Sequence, residues 1–311
     1  MIIQTGLRTD IPAFYAPWFL NRLREGYVLV RSPYQPKIVT RYTLSPDVVD
    51  LIGFCTKNPA PMLPHMDALE PYGQYWFVTI TPYGSEIEPN VPPKETVMET
   101  FKKLSQIVGA DSVAWRYDPI FLSREYPLER HLSEFASMAE NLSGYTNTCV
   151  ISFIDLYQKV RRNFPQAREV PVPERVRIGQ EFVKIGQTYG MTIKACAEGE
   201  LLKPYGVDCD GCMTIAAYEK ALGKKLRAPK LQRGRSSCAC YLSSDIGQYD
   251  TCLHGCRYCY ANQSLEQVRR NARQHDPASP LLIGKLEPED QLRQAKQESW
   301  LESQLNLFDE I

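Results

Sequence analysis

The chain has 311 residues, with 36 Lys plus Arg against 36 Asp plus Glu, so bulk charge draws it toward neither nucleic acid nor acidic membranes and any such contact has to be local. A chain of this length buries a sizeable core, and single α/β barrels reach it without splitting into domains. The start, Met1 to Arg8, has no basic region followed by a long apolar run, and no later stretch reaches the ~20 apolar residues of a membrane helix; the expectation is a cytoplasmic protein with no membrane partner.

Apolar runs that suit buried strands recur at Ile2–Gly6, Val48–Cys55, Tyr75–Thr81, Val113–Tyr117, Cys149–Ile154 and Thr192–Cys196. Between them, Val97, Phe101, Leu104 and Val108 keep helical spacing after Pro92-Pro93. Leu128, Leu132, Phe135, Ala139 and Leu142 repeat it before Gly144, and Glu174 to Tyr189 reads as a third helix. Tyr27–Val30 and Ile38–Tyr42 look like an inserted hairpin, and Pro59, Pro61 and Pro64 keep the second crossover helix short. Strand alternating with helix means parallel strands joined by right-handed crossovers. The fold predicted is α/β, a partial or complete parallel β/α (TIM-like) barrel with a cysteine-rich C-terminal region; an open doubly wound sheet is the alternative. The expected division is a barrel core over 1–199 with the hairpin insertion at about 27–42, a cysteine-rich region over 200–263 closing the barrel, and a helical tail over 264–311, with helices at Ser264 to Arg273 and Glu287 to Leu305.

Five of the six strand ends carry ionisable residues: Arg8 and Asp10 on the first, Lys57 on the second, Arg116 and Asp118 on the fourth, Asp155 on the fifth, Glu198 on the sixth. The C-terminal ends of the strands form the active-site face of a β/α barrel, so these seven residues are the candidate catalytic set. Each has a plain structural alternative. Asp10 before Ile11-Pro12 suits a helix cap, Asp118-Pro119 suits a turn, and either Arg can pair with a nearby carboxylate.

Ten cysteines in a chain of this kind argue for metal or redox chemistry rather than disulfides. Cys55 and Cys149 lie inside apolar runs and read as ordinary buried residues, whereas eight fall between Cys196 and Cys259. Cys196, Cys209, Cys212, Cys238 and Cys240 can supply a four-thiolate site for zinc or an iron–sulfur cluster. Between them, Lys224 to Arg235 holds six basic residues and no acid; it reads either as a solvated loop or as a grip for phosphates.

Cys252-Leu253-His254-Gly255-Cys256-Arg257-Tyr258-Cys259 then places three thiols in one short loop. They can cover one face of an iron–sulfur cube and leave the fourth iron open; structural zinc, with His254 as a fourth ligand, is the competing reading. The Cys-x3-Cys-x2-Cys spacing with an aromatic before the last Cys resembles the cluster signature of radical SAM enzymes. That resemblance implies a [4Fe-4S] cluster on Cys252, Cys256 and Cys259, with S-adenosylmethionine on the open iron and Tyr258 beside its adenine. In that superfamily, however, the trio follows the first strand of the barrel, and here it follows the last.

Arg8-Thr9-Asp10-Ile11-Pro12, Thr56-Lys57-Asn58-Pro59, Arg116-Tyr117-Asp118-Pro119, Cys196-Ala197-Glu198, Cys238-Ala239-Cys240 and Thr251–Asn262 together resemble an uncharacterised bacterial family, a domain of unknown function with a radical SAM-like C-terminal motif. The resemblance implies a second cluster, or zinc, on Cys196, Cys212, Cys238 and Cys240. It also implies an electron donor such as flavodoxin or ferredoxin, but names no substrate, which can be a small molecule or a nucleic acid. The functional expectation is a radical SAM-like iron–sulfur enzyme. An iron–sulfur electron carrier and a zinc-stabilised nucleic-acid-binding protein are the alternatives. If the chain is such an enzyme, the trio loop folds over the strand ends.

Overall fold

A computed structural model of the chain describes residues 1–230, 240, 241 and 244–302. In chain order the elements are β1 (Ile2–Gln4), α1 (Ile11–Phe14), α2 (Ala16–Glu25), β2 (Tyr27–Arg31), β3 (Ile38–Thr43), β4 (Leu51–Thr56), β5 (Gly73–Thr79), α3 (Lys94–Val108), β6 (Val113–Ile120), α4 (Leu128–Leu142), β7 (Thr148–Phe153), α5 (Gln158–Asn163), α6 (Val172–Thr188), β8 (Thr192–Ala195), α7 (Ile215–Leu222), α8 (Leu265–Ala272) and β9 (Gln291–Gln294). A short 3-10 segment, Leu63–Leu69, stands where the prolines shorten the second crossover.

Six strands form one parallel sheet in the order β1-β4-β5-β6-β7-β8, and β2-β3-β9 form a second, three-stranded sheet. Side chains alternate across a strand, and laterally paired residues share a face. Pairing of Phe54 with Trp76 and of Trp115 with Cys149 sets these on one face. There Trp76 stacks on Phe54 with centroids 3.8 Å apart, while Trp115 stacks on Phe135 of α4, itself stacked on Phe182 of α6 at 3.6 Å. Cys55 pairs with Phe77 and Thr79 with Arg116 on the opposite face. That face is covered in part by α7, whose Tyr218 meets Tyr75 edge-on and accepts a hydrogen bond from Gln4.

No closed barrel forms among the described residues, because the two edge strands find partners other than each other. Gln4 of β1 bonds through both its backbone groups to Ser244 and Ile246. On the far edge, β8 pairs in the same way with Asp208. The helix expected from Glu287 to Leu305 is also absent from its described part. Gln291–Gln294 instead runs parallel to β3, with all four residues exposed, and Arg31 grips Asp290 with two nitrogens beside it. The polar segment has no apolar stripe to bury, so the open edge of the hairpin decides its conformation. The nearer helix does form as α8, capped by the Ser264 side chain accepting from Gln267 N. No described helix is long and apolar enough to cross a membrane.

Candidate functional site

The strand ends, the trio loop and the second cysteine set line one cavity of about 1380 Å³. All seven strand-end candidates contribute to its wall, as do Cys252, Cys256, Cys259 and Tyr258. The loop is held there by contacts with the first third of the chain. Asp10 takes three bonds: it caps α1 by accepting from Ala13 N at 3.1 Å, accepts from Lys57 N at 2.8 Å, and meets His254 Nε2 at 2.8 Å. Tyr15 and Tyr260 add hydroxyl bonds to Thr251 O and Leu7 O. Asn90 bonds the backbone of Leu253 and His254. Gly255 turns the loop at φ +72°, where a Cβ is disfavoured.

Beside the loop, Glu88 Oε1 accepts from Lys57 Nζ at 2.9 Å, from Thr81 at 2.8 Å and from the Tyr258 hydroxyl. Burial pulls the Lys57 ammonium down, yet the adjacent Glu88 charge carries it above its ordinary value. Burial pushes all three trio thiols up. Thiolate is the metal-binding form, so a positive centre among them is what would draw off their protons. His254, bonded to Asp10 and Asn90 O, holds the loop in place.

On the opposite wall, Cys212 Sγ and Cys240 Sγ are 3.5 Å apart, and Cys196 lies on the same wall. The neighbouring Cys212 thiol lowers the Cys196 thiol against the opposing effect of burial, with Arg116 helping. Met213 N and Cys212 N both donate to Cys240 Sγ. Ala197 takes a left-handed φ of +60° beside Cys196, an uncommon conformation for a residue with a Cβ. Cys209 is not part of this cavity wall; its thiol donates to Val207 O at 3.6 Å. Cys238 lies outside the described residues. Among those described, no three His, Cys, Asp or Glu side chains converge as they would around one ion.

A family model described as a domain of unknown function, DUF1848, matches residues 2–261. The chain belongs to the DUF1848 family. No curated protein matches it. The DUF1848 match takes in the whole parallel sheet and the trio loop and stops before α8 and β9.

Several strand-end residues of this DUF1848 chain are spoken for by partners. Arg8 pairs with Asp245, Arg116 with Asp118 at 2.7 Å, and Glu198 with Arg175 at 3.1 Å while also accepting from Phe153 N. Asp155 accepts from the Tyr157 hydroxyl at 2.9 Å. Glu88, Asp245 and Arg175 carry no signal in the sequence, because they sit in loops or on a helix and meet their partners only through the fold. The apolar run around Cys55 reads as core, yet Cys55 lines the cavity within electrostatic reach of Arg116 and Cys196. In the basic run, Lys225 pairs with Glu219 and Arg227 with Glu302, and Lys230 borders the cavity. Residues 231–235 of that run lie outside the described residues.

Proposed function

We propose that this DUF1848 protein is an iron–sulfur enzyme of radical SAM type, with Cys252, Cys256 and Cys259 holding a [4Fe-4S] cluster at the wall of a substrate cavity. The observation that carries the reading is that the three thiols share one cavity with the polar strand ends. Thiolates of a cluster bind different irons and do not converge on one point, which suits three cysteines on one short loop better than a single ion does. When bound, a reduced cluster of this kind supplies an electron that cleaves S-adenosylmethionine, with flavodoxin or ferredoxin as donor. The chain's own groups orient and exclude water: Glu88 fixes Tyr258 and Lys57 beside the trio, and Asp10 and His254 fix the loop. The sheet itself is read as a partial barrel whose gap is filled by the cysteine-rich segment.

Cys196, Cys212 and Cys240, with Cys238 as the fourth, would hold a second cluster or zinc; the contact between Cys212 and Cys240 favours a shared centre. The compartment proposed is the cytoplasm. The test is iron and zinc content of anaerobically purified protein, with 5′-deoxyadenosine assayed after dithionite and S-adenosylmethionine are added. Replacing all three trio cysteines by Ala should remove about four irons per chain and all 5′-deoxyadenosine. Stoichiometric zinc at the trio refutes the reading, and iron without 5′-deoxyadenosine favours an electron carrier.

A further inference from the structure

The mouth of the cavity carries aromatic rings and cations that the proposed chemistry does not use. Tyr34, Tyr157 and Tyr260 are 86%, 37% and 49% exposed, large values for such rings, and all three border the cavity together with Tyr249. Tyr157 and Tyr260 lie with centroids 6.3 Å apart, and Lys159 Nζ sits 5.2 Å from the Tyr249 ring centre. From Leu156 to Arg168 the chain carries Lys159, Arg161, Arg162 and Arg168 with no acid. Arg161 and Arg162 are exposed, and Arg162 reaches back to Gln263 O at 2.6 Å, next to the trio loop. Two acids also stand here: Asp155 accepts from the Tyr157 hydroxyl, and Asp250, next to Tyr249, accepts from Gln263 N.

We propose that this rim binds single-stranded nucleic acid and presents one of its bases to the cavity. Base faces stack on exposed aromatic rings while neighbouring cations follow the phosphates. A duplex hides those faces, and a mononucleotide would meet one ring and one or two cations rather than a row of them. The chain is neutral overall, so a phosphate-binding surface has to be local, and here it adjoins the cavity. That cavity, at about 1380 Å³, exceeds the ~300–1,000 Å³ of ordinary small-ligand sites and has room for a base beside whatever the trio holds. The assignment rests on the proposed function only in treating the strand as substrate; binding itself needs no cluster.

The experiment is fluorescence anisotropy of a labelled single strand of about 15 nucleotides with anaerobically purified full chain, iron content being measured on every sample. Binding should weaken as salt rises from about 50 to 200 mM. Arg161→Glu with Arg162→Glu should weaken it about tenfold or more, and Arg161→Lys with Arg162→Lys should largely keep it. Tyr157→Ala should cost about fivefold or more. Lys224→Glu with Lys225→Glu should leave it within about twofold, since those residues lie in the other basic run. No binding at low salt overturns the proposal, as does loss in the Lys224/Lys225 variant in place of the Arg161/Arg162 one. Equal binding of a duplex, or equal competition by AMP, overturns it as well. Absence of iron with intact strand binding would sink the cluster reading alone.

Discussion

His131 is buried beneath Tyr83, Tyr117 and Tyr126, with Nδ1 2.8 Å from the Tyr117 hydroxyl and Nε2 2.9 Å from Phe121 O. One ring proton satisfies that arrangement: Nε2–H donates to the carbonyl and Nδ1 accepts from the phenol. Burial pulls the imidazole down to about 4, while in the unfolded chain it titrates at about 6.5. Between those values the unfolded state binds the proton and the folded state does not, so stability is full above about pH 6.5 and falls as the pH drops toward 4, by up to about 3 kcal/mol. Urea midpoints at pH 7.5 and 5 should therefore differ more in wild type than in His131→Gln, and an unchanged difference refutes the assignment. At this scale the sequence was least legible. Cys55 and Cys149 stand in similar apolar runs, yet strand parity sends one to the cavity and the other to the helix side, and parity relative to a neighbouring strand is a matter of register. Glu88 is 31 positions from Lys57 in a proline-rich loop where no spacing announces it.

Asp10 ties three elements together, ending β1's loop, starting α1 and holding the trio loop through His254. Replacing it by Ala removes a helix cap, an acceptor for Lys57 N and the partner of a buried imidazole. The expected loss is about 2–4 kcal/mol. Because one bond caps α1, one goes to backbone at the end of β4 and one to the loop, the variant should also let protease cut near Gly255 while the sheet stays folded. Asp10→Asn keeps one accepting oxygen and should fall between. Equal protection of the loop in Asp10→Ala would show that Tyr15, Asn90 and Tyr260 suffice to hold it. Strands and crossover helices were legible in the chain because their burial follows a period of two or 3.6; α3 and α4 start directly after prolines and carry the apolar faces expected of them. The C-terminal tail was not legible. Its polar residues bury nothing along Gln291–Gln294, so an edge contributed by β3, 253 residues away in sequence from Thr40 to its partner Arg293, settles what local preference leaves open.

At the scale of the molecule, alternation of strands and helices gave the parallel sheet but could not give its closure, since that depends on what meets the two edges. The edges of β1 and β8 are occupied by the segments around Asp245 and Asp208, the hairpin by β9, and the strand ends by the trio loop. The last third of the chain is thus woven into the first. A fragment ending at Gly199 would leave both sheet edges open and uncover the face bearing Tyr75 and Phe77, both buried in the whole chain. Open edges and exposed apolar faces favour association over folding. The intact chain should therefore unfold in one cooperative transition, with the same urea midpoint by far-UV circular dichroism and by fluorescence of Trp18, Trp76, Trp115 and Trp300, all of them buried. The fragment should bind a hydrophobic dye and lack a cooperative transition. Two separated midpoints in the intact chain, or a fragment with native near-ultraviolet dichroism, would establish that the sheet stands alone and that the cysteine-rich segment is docked on it as a separate domain.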